Sequence, residues 1–139
     1  MSTYLLTALA RTTEPRIMLR RFLALDAVVT AANGLAYAAA SGPLGRLLGI
    51  DSTLLLVAGA FLVLYAAGVG YLAARTQPPA LAVRAVIEAN AAWSLLSLVA
   101  LVAWLSPTVA GAVWIPLQAA VVAGFAALQY VSLRASLRA

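Results

Sequence analysis

The stretches that decide the fold are FLALDAVVTAANGLAYAAA, at residues 22–40, and ALAVRAVIEANAAWSLLSLVALVAWL, at residues 80–105. Two further apolar runs cover residues 54–74 and 110–131. Each run is close to the roughly 20 residues that an α-helix needs to cross about 30 Å of hydrocarbon at 1.5 Å per residue. Because backbone polar groups inside a bilayer must bond to one another, each run predicts a transmembrane helix.

The composition of the whole chain agrees with four membrane spans. Of the 139 residues, 65% are hydrophobic and 9% are charged, whereas a soluble domain carries roughly 25% charged residues. We therefore predict an all-α, polytopic membrane protein whose four helices form an up-down bundle. The chain is expected to form a single transmembrane domain, with an interfacial or flexible tail at 1–12 and helices at 15–40, 52–75, 80–105 and 109–133.

Capping and helix-breaking residues define the ends of these helices. Thr13 and Pro15 suit the cap and the first turn of the first helix, and Asp51 suits the cap of the second. The Pro78-Pro79 pair interrupts the chain before the third helix. Between the first two helices, residues 44–50 are predicted to form a short amphipathic turn at the membrane interface.

The arginine residues predict the orientation of the bundle. The net charge is +5 and the chain contains no lysine. Most arginines flank the helix ends on the side of the two termini, and the two loops on the opposite side carry only Arg46. The positive-inside rule then places both termini in the cytoplasm, and it indicates lipid head groups, not nucleic acid, as partners. An Ala- and Arg-rich chain without lysine is typical of high-GC bacteria, so we expect a multi-pass protein of a bacterial plasma (inner) membrane.

Missing residue types exclude several kinds of chemistry. Without lysine the chain cannot form a Schiff base, and without histidine and cysteine it has no imidazole or thiolate ligand and no disulfide. We therefore expect no metal and no cofactor. The sequence also lacks a Gly-rich phosphate loop and a serine paired with a base, so a function other than catalysis is favoured.

Two acids lie within predicted membrane spans. A carboxylate in hydrocarbon requires a partner or a watery cavity, and each is therefore a candidate functional group. Helical periodicity places the polar residues of each span on stripes along the helix. The spans contain one arginine, which cannot fully neutralise two acids. The predicted site for a ligand or proton combines the two acids, a counter-charge and three orienting amides: Asp26, Glu88, Arg84, Asn33, Asn90 and Gln118.

A structural interpretation of the same residues remains open. The acids would then pair with Arg84, Arg20 or Arg21 and lock the bundle, and the amides would only join helices. Trp93 is expected to pack in the core. The tryptophans that flank the outer turn are expected to be interfacial anchors, and these are Trp104 and Trp114.

Our leading hypothesis is a small membrane protein that binds or transports a small polar or cationic solute, or protons, through a polar cluster between the first, third and fourth helices. Two alternatives remain open. One is a structural or accessory subunit of a larger membrane complex, and the other is a membrane-embedded enzyme that uses the two acids on a lipid-like substrate. Glycines of the second helix, such as Gly59 and Gly70, favour close helix approach and predict a homo-oligomer through that helix.

Three short stretches, RFLALD at residues 21–26, LGID at 48–51 and VIEANAAW at 86–93, resemble the uncharacterised small four-helix integral membrane proteins of actinobacterial type. This resemblance spans most of the chain and implies no particular activity. Small multidrug transporters similarly place a carboxylate in the first of four helices, as Asp26 is placed here. This chain is longer, has Asp where they usually have Glu, and adds two charged residues in its third helix.

Overall fold

The computed structural model describes residues 14–138, and within that range it contains five α-helices. Their bounds are α1 (Pro15–Ala39), α2 (Ser41–Leu48), α3 (Ser52–Ala74), α4 (Ala80–Ala103) and α5 (Val109–Arg138). The helices α1, α3, α4 and α5 correspond to the four predicted spans, and each is long and apolar enough to cross a bilayer. The prediction of an all-helical membrane protein with four spans is confirmed.

The ends of the helices follow the capping residues in most places. Glu14 is the N-cap of α1 and Pro15 occupies its first turn, whereas the predicted cap at Thr13 and the predicted tail at 1–12 lie outside the described residues. Asp51 caps α3 by accepting a hydrogen bond from the backbone N–H of Leu54 at 3.2 Å. The last helix continues to Arg138, beyond the predicted end at residue 133.

The close approach of α1 and α3 depends on Gly34 of α1 and Gly59 of α3, because a Cβ atom on either would lie 2.9 Å or less from the backbone of the other helix. A Cβ atom on Gly59 would lie 2.6 Å from the carbonyl oxygen of Gly34 and 2.6 Å from the backbone nitrogen of Ala38. A Cβ atom on Gly70 would meet the Cβ of Ala27 at 3.7 Å, so this glycine also faces α1. Gly59 therefore serves packing within one chain, and the homo-oligomer predicted through this helix stays a prediction.

The short helix α2 lies across the end of the bundle opposite the termini. Thr108, just before α5, donates its backbone N–H to the carbonyl oxygen of Leu48 at 3.1 Å and its hydroxyl to that of Leu47 at 2.6 Å. These bonds satisfy carbonyl groups that the end of a helix leaves free. Gly49 follows with a φ of 70°, the left-handed conformation that commonly ends a helix. The turn predicted at 44–50 is thus mostly helical and starts earlier, at Ser41.

The four long helices pack as two pairs, and this arrangement creates the candidate site. Helix α1 packs mainly on α3, α4 packs mainly on α5, and α1 also contacts α5, whereas α3 barely touches α4. The hydroxyl of Ser94 on α4 bonds the carbonyl oxygen of Ala119 on α5 at 2.9 Å. At the end that carries the termini, an apolar core closes the bundle, and its buried members are Leu19, Leu23, Val69, Val83, Val86 and Leu133. Farther from the termini, the gap between α3 and α4 leaves a cavity.

Candidate ligand-binding site

The centre of the candidate site is the buried carboxylate of Asp26, which is 1% exposed. Its Oδ1 accepts a hydrogen bond from the hydroxyl of Thr30 at 2.9 Å. Its Oδ2 accepts from the side-chain amides of Asn90 at 2.7 Å and Gln129 at 2.8 Å. All three partners are uncharged, so none of the side chains that bond this acid is a counter-ion.

The hydrogen bonds continue from Asp26 to the remaining helix. The amide of Asn90 also donates to the side-chain oxygen of Gln129 at 3.1 Å. The hydroxyl of Tyr65 on α3 donates to the side-chain oxygen of Asn90 at 2.9 Å, and the carbonyl oxygen of Val86, at 3.2 Å, is the alternative acceptor for the same hydrogen. One network therefore joins all four spans, and Tyr65 forms a polar link across the sparse contact between α3 and α4.

The members of this network share one depth in the bundle. Asp26, Asn90, Gln129 and Tyr65 each lie roughly 14–17 Å from the terminus-side end of their helix at 1.5 Å per residue. On α1 and α5, however, Arg21 and Arg134 each lie only five residues, or roughly 7.5 Å, from Asp26 and Gln129 toward the termini, so the network lies in the terminus-side half of the apolar runs. An unsatisfied polar group among apolar side chains at this depth would still be costly.

A cavity of about 440 Å³ lies directly beside the network. Ligand sites typically have 300–1,000 Å³ of space and apolar walls with a few polar groups. Most of the lining side chains here are apolar or aromatic, and Thr30, Tyr65 and Asn90 contribute the polar part of the wall nearest to Asp26. Asp26 itself is one side chain behind that wall, because Thr30 and Asn90 line the cavity and both donate to its carboxylate.

Aromatic rings form another part of the cavity wall. The ring of Phe61 stacks on that of Tyr65, with centroids 6.1 Å apart, and on that of Trp93, with centroids 6.3 Å apart. Trp93 donates its indole N–H to the side-chain oxygen of Gln118 at 2.9 Å. As expected, Trp93 packs against a buried core cluster, that of Tyr37, Leu55 and Leu62, and its ring also contributes to the lining of this cavity.

Two predicted site residues lie in the part of the cavity farther from the termini. Asn33 and Gln118 both line it. The amide nitrogen of Gln118 donates to the carbonyl oxygen of Ile115 at 2.9 Å, so this side chain is held in place. Trp114 is half-buried and donates to the hydroxyl of Tyr37 at 2.6 Å, whereas Trp104, the other predicted anchor, is 75% exposed.

Arg84 and Glu88 do not join the cluster around Asp26. Both are exposed, and Glu88 is about 200° around the helix from Asn90 at 100° per residue. The expectation that the two acids and Arg84 form one ionised site is corrected in this respect. The reason is that α4 turns its amide stripe, not its charged stripe, toward α1 and α5.

The comparisons with known proteins add no family to these observations. No protein-family model, no curated protein and no solved structure matches the chain. The resemblance stated above is therefore supported only as far as the four apolar helices. Residues 14–138 contain no group of three or more histidine, cysteine, aspartate or glutamate side chains that could hold a metal ion.

Sequence reasoning did not assign a role to Tyr65, Phe61 or Gln129. Gln129 is fully buried, and its depth, which matches that of Asp26, was a usable signal. Tyr65 is the first polar residue along the middle of α3, at the same depth, and this too was available from the sequence. Phe61 carried no signal, because one aromatic residue in an apolar helix is not distinctive.

Proposed function

We propose that this membrane protein binds a small organic cation in the cavity lined by α1, α3, α4 and α5. The observation that carries the proposal is the position of Asp26, a buried acid with three uncharged donors, one side chain behind the wall of a cavity of about 440 Å³. The carboxylate of Asp26 would thus attract a cation in the cavity without touching it. The site favours a ligand that brings positive charge and apolar surface together.

The electrostatic contribution is large enough to select a cation. If a ligand charge lies roughly 8 Å from the carboxylate, at an effective dielectric constant near 20, the two attract by about 2 kcal/mol, which is about thirtyfold in Kd. The aromatic rings of Phe61, Tyr65 and Trp93 add to this preference, because the face of an aromatic ring attracts cations. Asn33 and Gln118 are then the groups that orient a polar part of the ligand.

The weak contact between α3 and α4 provides an entry route. A ligand in the bilayer would enter sideways between these helices, beside Tyr65, without passing the capped end of the bundle at α2. The proposed setting is a bacterial plasma membrane with both termini in the cytoplasm, as the arginine distribution predicts. Transport of the bound cation is the extension of this proposal, and flux into liposomes tests it.

One observation favours a structural role as the second candidate. Within residues 14–138, every buried side-chain nitrogen or oxygen atom has a hydrogen-bond partner in the protein. A network that is complete in this way also suits a bundle lock in an accessory subunit. Ligand binding distinguishes the two functions, since a lock needs no ligand. An enzyme that uses two acids together is less favoured, because Glu88 is exposed and Asp26 is buried.

The test compares benzyltrimethylammonium with neopentylbenzene, its uncharged analogue of the same shape. The protein is placed in lipid nanodiscs, and binding is followed by the fluorescence of Trp93 and Trp114, which line the cavity. A Trp104→Phe background removes the exposed third tryptophan. The proposal requires saturable binding of the cation, with a lower Kd than that of the neutral analogue.

A matched pair of variants on α4 locates the binding. Ala92 lines the cavity and Ala85 is exposed without lining it. Ala92→Phe should fill the cavity and remove the fluorescence change, whereas Ala85→Phe should retain it. Equal behaviour of the two variants, or cation and neutral analogue binding equally well, would contradict the proposal and favour a cavity filled by lipid chains.

A further inference from the structure

The outer face of α4 combines charges with apolar residues in a regular pattern. Seven residues on this face follow one another at alternating intervals of three and four, which is the spacing of coiled-coil a and d positions. We call them the seam, and they are residues 81, 84, 88, 91, 95, 98 and 102. All seven side chains are exposed, among them Leu81 at 80% and Val102 at 87%. None of the seven lines the cavity or belongs to the buried residues of α4. This seam is therefore a second, separate face of the helix.

The charges within the seam are unsuited to contact with lipid. Glu88 lies roughly 12 Å along α4 from Ala80 at 1.5 Å per residue, and its short side chain cannot extend to the interface as that of Arg84 can. A carboxylate on a lipid-facing surface at that depth is costly and indicates a partner. An ion pair between Arg84 and Glu88 within α4 stabilises the charges only weakly, because a helix favours Glu before Lys or Arg at i, i+4 over the reverse order.

We propose that this face of α4 packs against α4 of a second copy of the chain in a parallel, twofold dimer. In a parallel coiled coil, a residue at one seam position packs into a hole lined by the neighbouring seam residues of the facing helix. Glu88 of each copy then lies beside Arg84 of the other, and the twofold axis forms this ion pair twice. Ala91, the next seam residue, is small enough to allow the close approach that membrane helices favour.

The occupant is identified by self-complementarity of charge. Adjacent seam positions carry one cation and one anion, so a twofold contact gathers two arginines and two glutamates, whose charges sum to zero and which alternate from one layer of the contact to the next. Apolar residues at the remaining seam positions, Leu81, Leu95, Leu98 and Val102, continue the contact along the helix. This contact uses a different helix from the one that the sequence predicted, since Gly59 and Gly70 of α3 face α1 of the same chain.

Cross-linking between single cysteines tests the interface directly, since the native chain has no cysteine. Ala91→Cys on the seam should form a disulfide dimer under mild oxidation in liposomes. Leu64→Cys is the matched control, because it lies at a similar depth on the exposed face of α3. Equal cross-linking at both positions, or at Leu64 alone, would overturn the proposal, as would a wild-type chain that stays monomeric in bilayers.

Charge reversal separates pairing between copies from pairing within one helix. Arg84→Glu and Glu88→Arg, each in the Ala91→Cys background, should lose about tenfold in association. When the two variants are mixed with different tags, cross-linked hetero-dimers should return, because the two glutamates of one variant then lie opposite the two arginines of the other. Pairing within one helix cannot produce that recovery. Failure of the mixture to cross-link, with helix content unchanged by circular dichroism, would refute the proposed contact.

Discussion

Replacing Asp26 by two different residues tests whether its hydrogen bonds stabilise the bundle as the structure describes. Asp26→Ala removes the oxygens that accept from Thr30, Asn90 and Gln129. The two amides lose a buried acceptor, and at about 1–3 kcal/mol for each unsatisfied group the loss of stability is about 2–6 kcal/mol. Asp26→Asn retains an oxygen for the two amides and offers its own amide to the hydroxyl of Thr30, so it should cost less than about 1.5 kcal/mol.

Unfolding in mixed micelles by titration with dodecyl sulfate, followed by circular dichroism, measures this difference. Asp51→Asn serves as the control, because Asp51 is an exposed cap and asparagine is an equally good capping residue. The midpoint should shift strongly for Asp26→Ala, slightly for Asp26→Asn and hardly at all for Asp51→Asn. If Asp26→Ala and Asp26→Asn were equally destabilising, the charge and not the hydrogen-bond geometry would hold the helices together, and the network described here would be refuted.

Three further predictions concern packing, the contact between α3 and α4, and orientation. In the same unfolding titration, Gly59→Ala should destabilise the protein by about 1–3 kcal/mol, because the added Cβ atom would collide with the backbone of α1. Gly68→Ala should be neutral or stabilising, because its Cβ atom would meet nothing within 4 Å. Tyr65→Phe should cost about 0.5–1.5 kcal/mol by the same measurement, because the hydrogen bond of its hydroxyl to α4 is lost, and an unchanged midpoint would show that this link is not stabilising. In spheroplasts, Gln77→Cys should react with an impermeant maleimide only after lysis, whereas Ser41→Cys should react before lysis. Reversed labelling would show that the termini lie outside the cytoplasm.

The four spans were predictable because length and hydropathy determine them without reference to packing. The apolar runs that begin at residues 54 and 80 became α3 and α4 with little change in their bounds. The end of α5 was harder to predict, since Arg134 breaks the apolar pattern. In the structure its guanidinium donates to the hydroxyl of Tyr130 at 3.1 Å, one turn earlier, and such an i, i+4 pair helps the helix to continue.

The candidate site was predictable only in part, because periodicity defines the faces of a helix but not the neighbour that each face meets. The sequence placed Asn90 and Glu88 on different faces of α4, and attraction between charges made Glu88 and Arg84 the expected partners of Asp26. In the structure, neutral amides surround the carboxylate of Asp26 instead. Three hydrogen bonds can hold a buried carboxylate without a counter-ion. The cavity itself follows from the weak contact between α3 and α4, which no single helix reveals.

The central claim is that the charge of Asp26 makes the cavity selective for cations, and one measurement tests it most directly. This is the Kd of benzyltrimethylammonium in nanodiscs for the wild type, Asp26→Asn and Glu88→Gln. Asp26→Asn should weaken binding of the cation about thirtyfold and leave binding of neopentylbenzene unchanged, whereas Glu88→Gln should leave both Kd values as they are. Cation binding that survives Asp26→Asn at the wild-type Kd, in a variant with the wild-type fold, would contradict the account.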